Sequence, residues 1–587
     1  MSPVSTTQAA KLLVEILKKR ATSAIQKAFP DLQNEIAEVV PSTQERFGHY
    51  QCNSALRLAK QMRQNPREVA QAIMQNLPNE DELAIKMEIA GPGFINIFLN
   101  PSFLSERTNH LLHDPRLGVP KLASPKRMVV EFSSPNIAKE LHVGHLRSTI
   151  IGDSLARLME FLGHDVLRLN HIGDWGTQFG MLISYLKELQ PEVLEGKKQA
   201  ALKELMGWYR DAKKKFDKDP GFKKRSQEEV VRLQGGDEHS LSAWKKICEI
   251  SRDAFKEIYG LLDVELIERG ESFYNPFLAS LVEDLEKKKL VTLSDGAKCI
   301  FLEGFVNKEG DPLPMIVQKS DGGYNYSTTD MAGMRHRIEK EKAERIVVVT
   351  DAGQSLHFQM IAAAAEKAGY LDPKKTQFDH VPFGVVLNTS GKKFKTREGA
   401  TEPLVSLLTE GIAHAKKLLS ERLHDDPELD QLATILGIDA IKYADLSCHR
   451  MKDYVFSYDR MLNFEGNTAA YLLYSYVRIQ GIKRKVGKDL GEVQDLAKIM
   501  LEHPSEISLG LKLCQFGETL RVMERDLLPN RLTDYLYNLA ESFHAFFRDC
   551  RVEGVDEENA RLLLCEATAR VLKQGLEILG LKTLDRM

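Results

Sequence analysis

Val129, Val130, Glu131 and Phe132 make a short apolar run of the kind that forms a buried strand, and Pro135 stops it. A polar loop over residues 133–139 follows, then His142-Val143-Gly144-His145. Leu146, Ile150, Ile151, Leu155, Leu158, Met159 and Leu162 recur at helical spacing, and Gly163 is a natural C-cap. Residues 165–170 give a second strand. This strand–loop–helix–strand order constrains the chain most, because it predicts an open parallel sheet. In such sheets ligands collect at the carboxyl ends of the strands, where helix N-termini attract phosphate. Gly144 lets a nucleotide lie close to the backbone, and the two imidazoles offer hydrogen bonds to phosphate oxygens. An HxxH pair by itself also fits a polar helix start. Zinc is the weaker alternative, since no third ligand stands at suitable spacing.

The 587 residues suffice for three or four domains, and 43% hydrophobic with 28% charged residues belongs to a soluble globular protein. No apolar run approaches the ~20 residues needed to cross a bilayer. Residues 10–19 mix Leu and Ile with Lys and Glu, as an amphipathic helix does and a signal peptide does not. Seven cysteines without a CxxC suit a reducing cytoplasm better than a disulfide framework or a structural zinc. A net charge of −3 does not advertise a nucleic-acid ligand, so any such ligand needs a local basic track. Lys213-Lys214-Lys215 with Lys223-Lys224-Arg225, and Lys483-Arg484-Lys485, are candidates, though charge runs of this kind are commonly solvated helix faces.

Residues 1–115 read as a first domain, with helices over 7–28 and 53–64 and a strand around 88–99. Gly91-Pro92-Gly93 is a turn entering that strand and not a dinucleotide fingerprint, because a third glycine and a following helix are missing. Residues 116–126, flanked and broken by Pro115, Pro120 and Pro125, form a linker. A second domain runs over 116–415, with an insertion over about 190–320 between two strand–helix–strand halves. Its second half carries a buried strand at 345–350 and a helix over 355–368. Residues 416–587 are dominated by helical periodicity and predict an all-helical bundle.

The stretch Ser133-Ser134-Pro135-Asn136-Ile137-Ala138-Lys139, with His142-Val-Gly-His145-Leu-Arg-Ser-Thr, resembles the nucleotide-binding signature of class I aminoacyl-tRNA synthetases. Together with Asn170-His-Ile-Gly-Asp-Trp-Gly-Thr-Gln178, Gly466-Asn-Thr-Ala-Ala-Tyr471 and the final Gly580-Leu-Lys-Thr-Leu-Asp-Arg-Met587, it is similar in detail to the arginyl-tRNA synthetases. The likeness covers essentially the whole chain and is nearest to the form of the eukaryotic cytoplasm. It implies a multidomain α/β plus all-α protein: an α+β N-terminal domain that touches the tRNA elbow, a Rossmann-like class I catalytic domain with an insertion, and a C-terminal helical anticodon-binding domain.

The resemblance also implies a reaction: ATP-dependent activation of L-arginine, then transfer to the 3′-terminal adenosine of tRNA-Arg, with tRNA needed for the activation step. His142 and His145 are expected at the ATP phosphates, with Gly144 under the adenine or ribose. Asn136 would orient the amino acid's backbone groups, and Glu131 lies near the same pocket. A Glu ending an apolar strand needs a cation or solvent beside it, so a structural ion pair is the competing reading. Tyr326 would wall the arginine pocket, and Asp330 would face the guanidinium, whose planar fork lysine cannot match. Gln354 matches a further arginine contact and His357 an ATP contact. Lys393-Phe-Lys-Thr resembles the second class I signature with Thr396 in place of its second lysine, and Lys139 occupies the place thought to compensate. Lys393, Lys395 and Arg397 could each reach the pyrophosphate. This loop is not a P-loop, since the required glycine and Ser or Thr are missing around Gly391-Lys392. Phe94 and Asn96 match residues that meet a D-loop base, although an aromatic in the domain's own core fits equally. Tyr471, Tyr474, Tyr476 and Arg478 fall in the helical region, where aromatics at this spacing are more often core. Magnesium is expected with ATP, held mainly by phosphate oxygens and water, with no zinc. A cytoplasmic monomer without membrane association completes the expectation.

Overall fold

The structure, a computed structural model, describes residues 11–77, 83–393, 402–424 and 426–587, so Lys395, Thr396 and Arg397 lie outside the described residues. The chain divides into two compact units, one of Met1–Leu122 with Asn463–Met587 and one of Ala123–Leu462.

In the first unit β1 (Val39–Pro41), β2 (Tyr50–Cys52), β3 (Ala84–Ala90) and β4 (Phe94–Leu99) form an antiparallel sheet in the order β1-β2-β4-β3. The single strand expected around 88–99 is thus a hairpin turning at Gly91-Pro92-Gly93. Gly93 has φ 149°, and a Cβ there would stand 2.7 Å from the Pro66 carbonyl oxygen, so only glycine fits. The helix Leu13–Ala28 has no side-chain cap of its own; the Val14 N–H instead donates to Glu518 at 2.7 Å. Helices Ala469–Val486, Pro504–Cys514, Asn530–Asp549 and Glu558–Ile578 supply the helical part through buried Leu, Ala and Phe residues.

In the second unit β5 (Arg127–Glu131), β6 (Asp165–Asn170) and β7 (Ile267–Glu268) come first in the chain. A separate antiparallel sheet follows, of β8 (Thr292–Ser294), β9 (Ala297–Val306) and β10 (Pro312–Gln318). Then come β11 (Arg345–Asp351) and β12 (Gln377–Phe383). The main sheet is parallel throughout, in the order β12-β11-β5-β6-β7. Strand order therefore reverses at β5, and ligands of open α/β sheets bind outside such a switch point. Val129, Leu169, Ile346 and Val348 of this sheet pack with Leu281, Met331 and Ile361 in one core.

After the helix Gln178–Leu189 the insertion is helical over Leu202–Lys218, Pro220–Gln234 and Glu238–Leu262 before the two-residue β7 returns the chain to the sheet. The expected domain boundary at 416 falls inside the helix Leu404–Ser420, and this unit continues to Leu462. The physical reason is specific. Asp445 is the buried ion-pair partner of Arg147 at 3.0 Å, and the Lys442 ammonium donates to the Leu262 carbonyl at 2.8 Å. Both residues belong to the helix Leu429–Leu446, which is thereby tied to the sheet's own helices.

Candidate active site

The loop leaving β5 is held in an unusual shape by specific donors. Ser133, Ser134 and Ala138 all have positive φ, at 71°, 47° and 60°. Their amides are satisfied in turn: Ser133 N–H donates to Ser148 Oγ, Ser134 N–H to Asn170 Oδ1 and Ala138 N–H to Ser251 Oγ, each at 3.0 Å. Tyr259 joins the set, its hydroxyl 2.7 Å from Ser133 Oγ and accepting from Asn170 at 3.1 Å. The Ile137 N–H donates to Gly173 and the Gly173 N–H to Pro135, so the loop runs as an extra bridge beside the 170–178 motif. Asn136 is left exposed over Gly173, where a Cβ would lie 2.1 Å from its Oδ1.

His142 is the N-cap of the helix Val143–Leu162. Its Nδ1 accepts the Gly144 N–H at 3.1 Å, and His145 Nδ1 accepts the His142 N–H at 3.1 Å. Two helix-start donors thus take both Nδ1 atoms, and the neutral rings must carry their proton on Nε2. Burial, aided by Lys139, lowers the His142 pKa. Burial with the neighbouring His142 and Lys139 takes His145 down to about 3. Both rings are neutral at pH 7, which decides between the charged and uncharged forms. They lie 4.0 Å apart between centroids, each presenting one Nε2–H. A Cβ on Gly144 would meet the His142 ring at 2.9 Å, so the glycine serves the histidine's position.

A cavity of about 570 Å³ lies beside this loop, lined among others by Asn136, Gln178, Glu271, Tyr324, Tyr326 and Thr329. Tyr326 begins the helix Tyr326–Glu339, is 63% exposed, and meets His357 edge-on at 5.0 Å. One residue beyond Thr329, Asp330 accepts from or shares a proton with His357 Nε2 at 2.6 Å and has His171 Nε2 at 3.7 Å. Burial alone would raise the Asp330 carboxyl; the hydrogen bond from His357 and the charges of His171, His357 and Arg337 outweigh it and hold the group below its usual range. It stays ionised. His357 is therefore an Asp330 partner in this structure.

Glu131 is buried and ion-paired with buried Arg337 at 2.5 Å. The structural ion pair is the arrangement found, and it places Arg337 within electrostatic reach of Asp330. Gln354 is exposed and donates to Asp351 at 3.1 Å, outside the lining of the cavity. Lys139 is exposed at the loop's end. Lys393 is exposed and bridged to Leu387, after a turn in which Asn388 Oδ1 collects the Ser390 and Lys392 amides. In the other unit Phe94 is half-buried, while Asn96 is buried with its Oδ1 taken by Gln51 at 2.8 Å. Tyr471 and Tyr476 are buried, as core aromatics are, whereas Arg478 stacks on Tyr474 and Phe547.

Glu271 was not foreseen from the sequence. It starts the helix Glu271–Lys287 directly after β7, and burial together with Asp330 and Asp174 pushes its carboxyl up to about 7. Asp174 fixes that helix start: it accepts Ser272 N–H at 2.8 Å and the Ser272 hydroxyl at 2.6 Å, and a Cβ on Gly270 would strike its carboxylate at 2.5 Å. The only local signal was the Gly270-Glu271 pair after a helix. Among the described residues no cluster of three or more His, Cys, Asp or Glu is arranged to hold a metal ion.

Comparison with known proteins agrees in every region. Residues 107–458 match the family described as tRNA synthetases class I (R), catalytic domain; residues 472–587 match the DALR anticodon binding domain and 15–99 the arginyl tRNA synthetase N terminal domain. The arginine–tRNA ligase of Protochlamydia amoebophila is 60% identical, covering 98% of this chain and all of the relative; that of a Nostoc species is 51% identical, covering 98% and 99%. The arginyl-tRNA synthetase structure from Plasmodium falciparum superposes with a TM-score of 0.86 at 34% identity, over 98% of this chain and 99% of the other. The Thermus thermophilus enzyme shares the fold at a TM-score of 0.80 and 23% identity, over 98% and 100%. Protochlamydia and Nostoc are bacteria, so these relatives do not carry the expected closeness to the eukaryotic cytoplasmic form. Three matched domains in order, and relatives alike from end to end, place the chain in the family: it belongs to the class I arginyl-tRNA synthetases, the arginine–tRNA ligases.

Proposed function

We propose that the cavity beside Asp330 is where arginine is activated and then passed to tRNA-Arg. The observation that carries this reading is the ionised Asp330 with Glu271 beside it. Two carboxylates of different proton affinity give a planar guanidinium acceptors on more than one edge. Asn136 holds the amino acid's backbone groups, and Tyr326 closes over the side chain. The arginine carboxylate oxygen attacks the α-phosphorus of ATP, the bond to pyrophosphate breaks, and a ribose hydroxyl of the terminal adenosine later displaces AMP from the acyl carbon. His142 and His145, neutral and held by their Nδ1 atoms, donate from Nε2 to phosphate oxygens as charge builds there. Lys139, Lys393 and Lys395 supply the positive charge for pyrophosphate. Magnesium would accompany ATP on phosphate oxygens and water.

The roles of Glu131 and Gln354 differ within this reading. Glu131 acts through Arg337 by setting the field at Asp330, and Gln354 reaches arginine only if the turn carrying it moves inward. His357 serves by holding Asp330. Phe94, whose ring is half-buried, is the better of the two D-loop candidates, since Asn96 would have to leave Gln51. Activation waits for tRNA, so pyrophosphate exchange should be silent without it. The same reading makes the enzyme a cytoplasmic monomer with tRNA-Arg, L-arginine and ATP as partners; the likeness to the Plasmodium falciparum structure supports a form shared with eukaryotes. No helix of the described residues is long and apolar enough to cross a membrane.

Charging of tRNA-Arg with labelled arginine and lysine, in wild type and Asp330→Ala, tests the reading. Arginine charging that falls by about 10³-fold or more in the variant, with the KM for ATP little changed, is expected. Undiminished arginine charging by the variant would sink it.

A further inference from the structure

The helix Glu238–Leu262 belongs to the insertion, and none of its residues lines the cavity beside Asp330. It nevertheless holds both loops that do. Trp244, Ser251 and Tyr259 follow one another at intervals of seven and eight residues, about two helical turns each time, so they share one face. From that face the Trp244 indole N–H donates to the Asp174 carbonyl at 2.7 Å, and Ser251 Oγ accepts the Ala138 N–H at 3.0 Å. The Tyr259 hydroxyl meets Ser133 and Asn170, one from each loop.

Of the three, Tyr259 bears most on the shape of the first loop, because it sets which way a buried amide faces. Asn170 is 3% exposed. Its Nδ2 donates to the Tyr259 hydroxyl at 3.1 Å, which leaves Oδ1 turned to the Ser134 N–H at 3.0 Å. An amide carries its acceptor on one side and its donors on the other, so fixing one fixes both. Turned over, it would set its own N–H against the Ser134 N–H, donor against donor. The same hydroxyl lies 2.7 Å from Ser133 Oγ. Tyr259 thus ties Ser133 directly and Ser134 through Asn170, where the chain enters the loop with φ 71° and 47°. Residues other than glycine do not keep that conformation unaided. Asn136 follows two residues on. The far end of the loop, with Lys139, is held separately, by Ser251 at Ala138.

We propose that Tyr259 is a positioning residue for arginine: its hydroxyl, through Asn170 and Ser133, keeps the loop in the strained shape that presents Asn136 to the amino acid's backbone groups. The inference rests on the function proposed above, in which Asn136 has that role. Tyr259 acts only through the loop, and on the part of it that serves arginine more than on the part that serves ATP.

The test is steady-state charging of tRNA-Arg by wild type, Tyr259→Phe, Asn136→Ala and the double variant, with arginine and ATP varied in turn. Tyr259 is half-buried and phenylalanine keeps its ring, so the single variant folds. It should lower kcat/KM for arginine about 3- to 10-fold, the factor one hydrogen bond gives when it holds a binding-competent shape, and leave the KM for ATP unchanged. Asn136→Ala should lose more, and adding Tyr259→Phe to it should cost nothing further, since the loop then has no side chain to present. An equal loss for arginine and ATP is what a merely structural hydroxyl gives. That result, a Tyr259→Phe variant that charges like wild type, or losses that multiply in the double variant, would overturn this proposal while leaving the arginine cavity in place. An Asn136→Ala variant with an unchanged KM for arginine would instead remove Asn136 from the proposed function, and this proposal with it.

Discussion

The half-buried acids Asp330 and Glu271 are shifted in opposite directions, while the half-buried imidazoles of His142 and His145 are both shifted down, and pH separates their roles. Glu271 is pushed up to about 7, so below that pH it binds a proton that arginine's guanidinium must displace. The KM for arginine in wild type is therefore expected to fall as pH rises toward 7, by up to about tenfold per unit on the acid side, and to level off above. Glu271→Gln should raise the KM and remove that slope; a slope that survives would assign it to another group. His145, which lies near 3, should add no slope to the KM for ATP over the same window, and the lowered pKa of His142 moves any slope of its own toward acid. His145 also bears on stability. Its folded pKa is below its unfolded value, so the unfolded chain binds more protons between about pH 3 and 6.5, and the contribution present above that range is lost as pH falls through it. Glu271 runs the other way: its contribution is present below the unfolded value of 4.5 and is lost as pH rises through about 7.

At the scale of elements, two glycines on the same helix should respond in opposite ways to an added methyl. A Cβ on Gly152 would fall 2.2–2.7 Å from the Phe132 side chain, which is itself wholly buried. Gly152→Ala is expected to destabilise by about 1–3 kcal/mol in urea unfolding, although alanine favours helix by about 1 kcal/mol. At Gly144 the atom met is the His142 ring, a side chain that can swing away. Gly144→Ala should leave stability within about 1 kcal/mol and cut kcat about tenfold or more, because the ring that leaves is the one proposed to donate to phosphate. The reverse pattern would mean that Gly144 is structural. These elements were legible because strand and helix periodicity switch cleanly around the loop at 133–142. Other elements were not. β7 is two residues long and has no period to detect, and β3 and β4 differ from one long strand only by a turn. Helical spacing over residues 404–446 looks the same whether a helix packs on a sheet or in a bundle, so the boundary at 416 had no sequence mark. The pairing of Asp330 with His357, 27 residues away, and of Glu131 with Arg337 depends on which helix faces which strand end. Motif likeness singled out Asp330 as a candidate, but only the folded chain reveals what holds it charged.

For the molecule as a whole, the basic stretches spend much of their charge internally. Lys215 and Arg225 pair with Glu188, Lys483 with Glu566 and Lys485 with Glu553, so the basic stretches are largely paired helix faces. Within the first unit, one group ties distant parts of the chain together and does so with a proton. Glu518, on the helix Phe516–Asp526, accepts the Val14 N–H at 2.7 Å and the Tyr50 hydroxyl at 2.8 Å, and burial raises its carboxyl to about 7 against those two hydrogen bonds. A carboxyl raised from its unfolded value near 4.5 keeps its proton in the folded state, so its contribution is fully present below about pH 4.5 and is lost as pH rises through 7. Glutamine mimics the protonated form and keeps an oxygen for both donors. Glu518→Gln should therefore match wild type near pH 4 and exceed it by about 2–3 kcal/mol at pH 8, read as protection of the Val14 amide from hydrogen exchange after correction for its intrinsic rate. Glu518→Ala should lose protection at both pH values, since the start of the helix Leu13–Ala28 then has no cap. If glutamine and glutamate give the same protection at pH 8, the carboxyl is ionised there at no penalty, and the attachment of the first helix to the helical part does not depend on that proton.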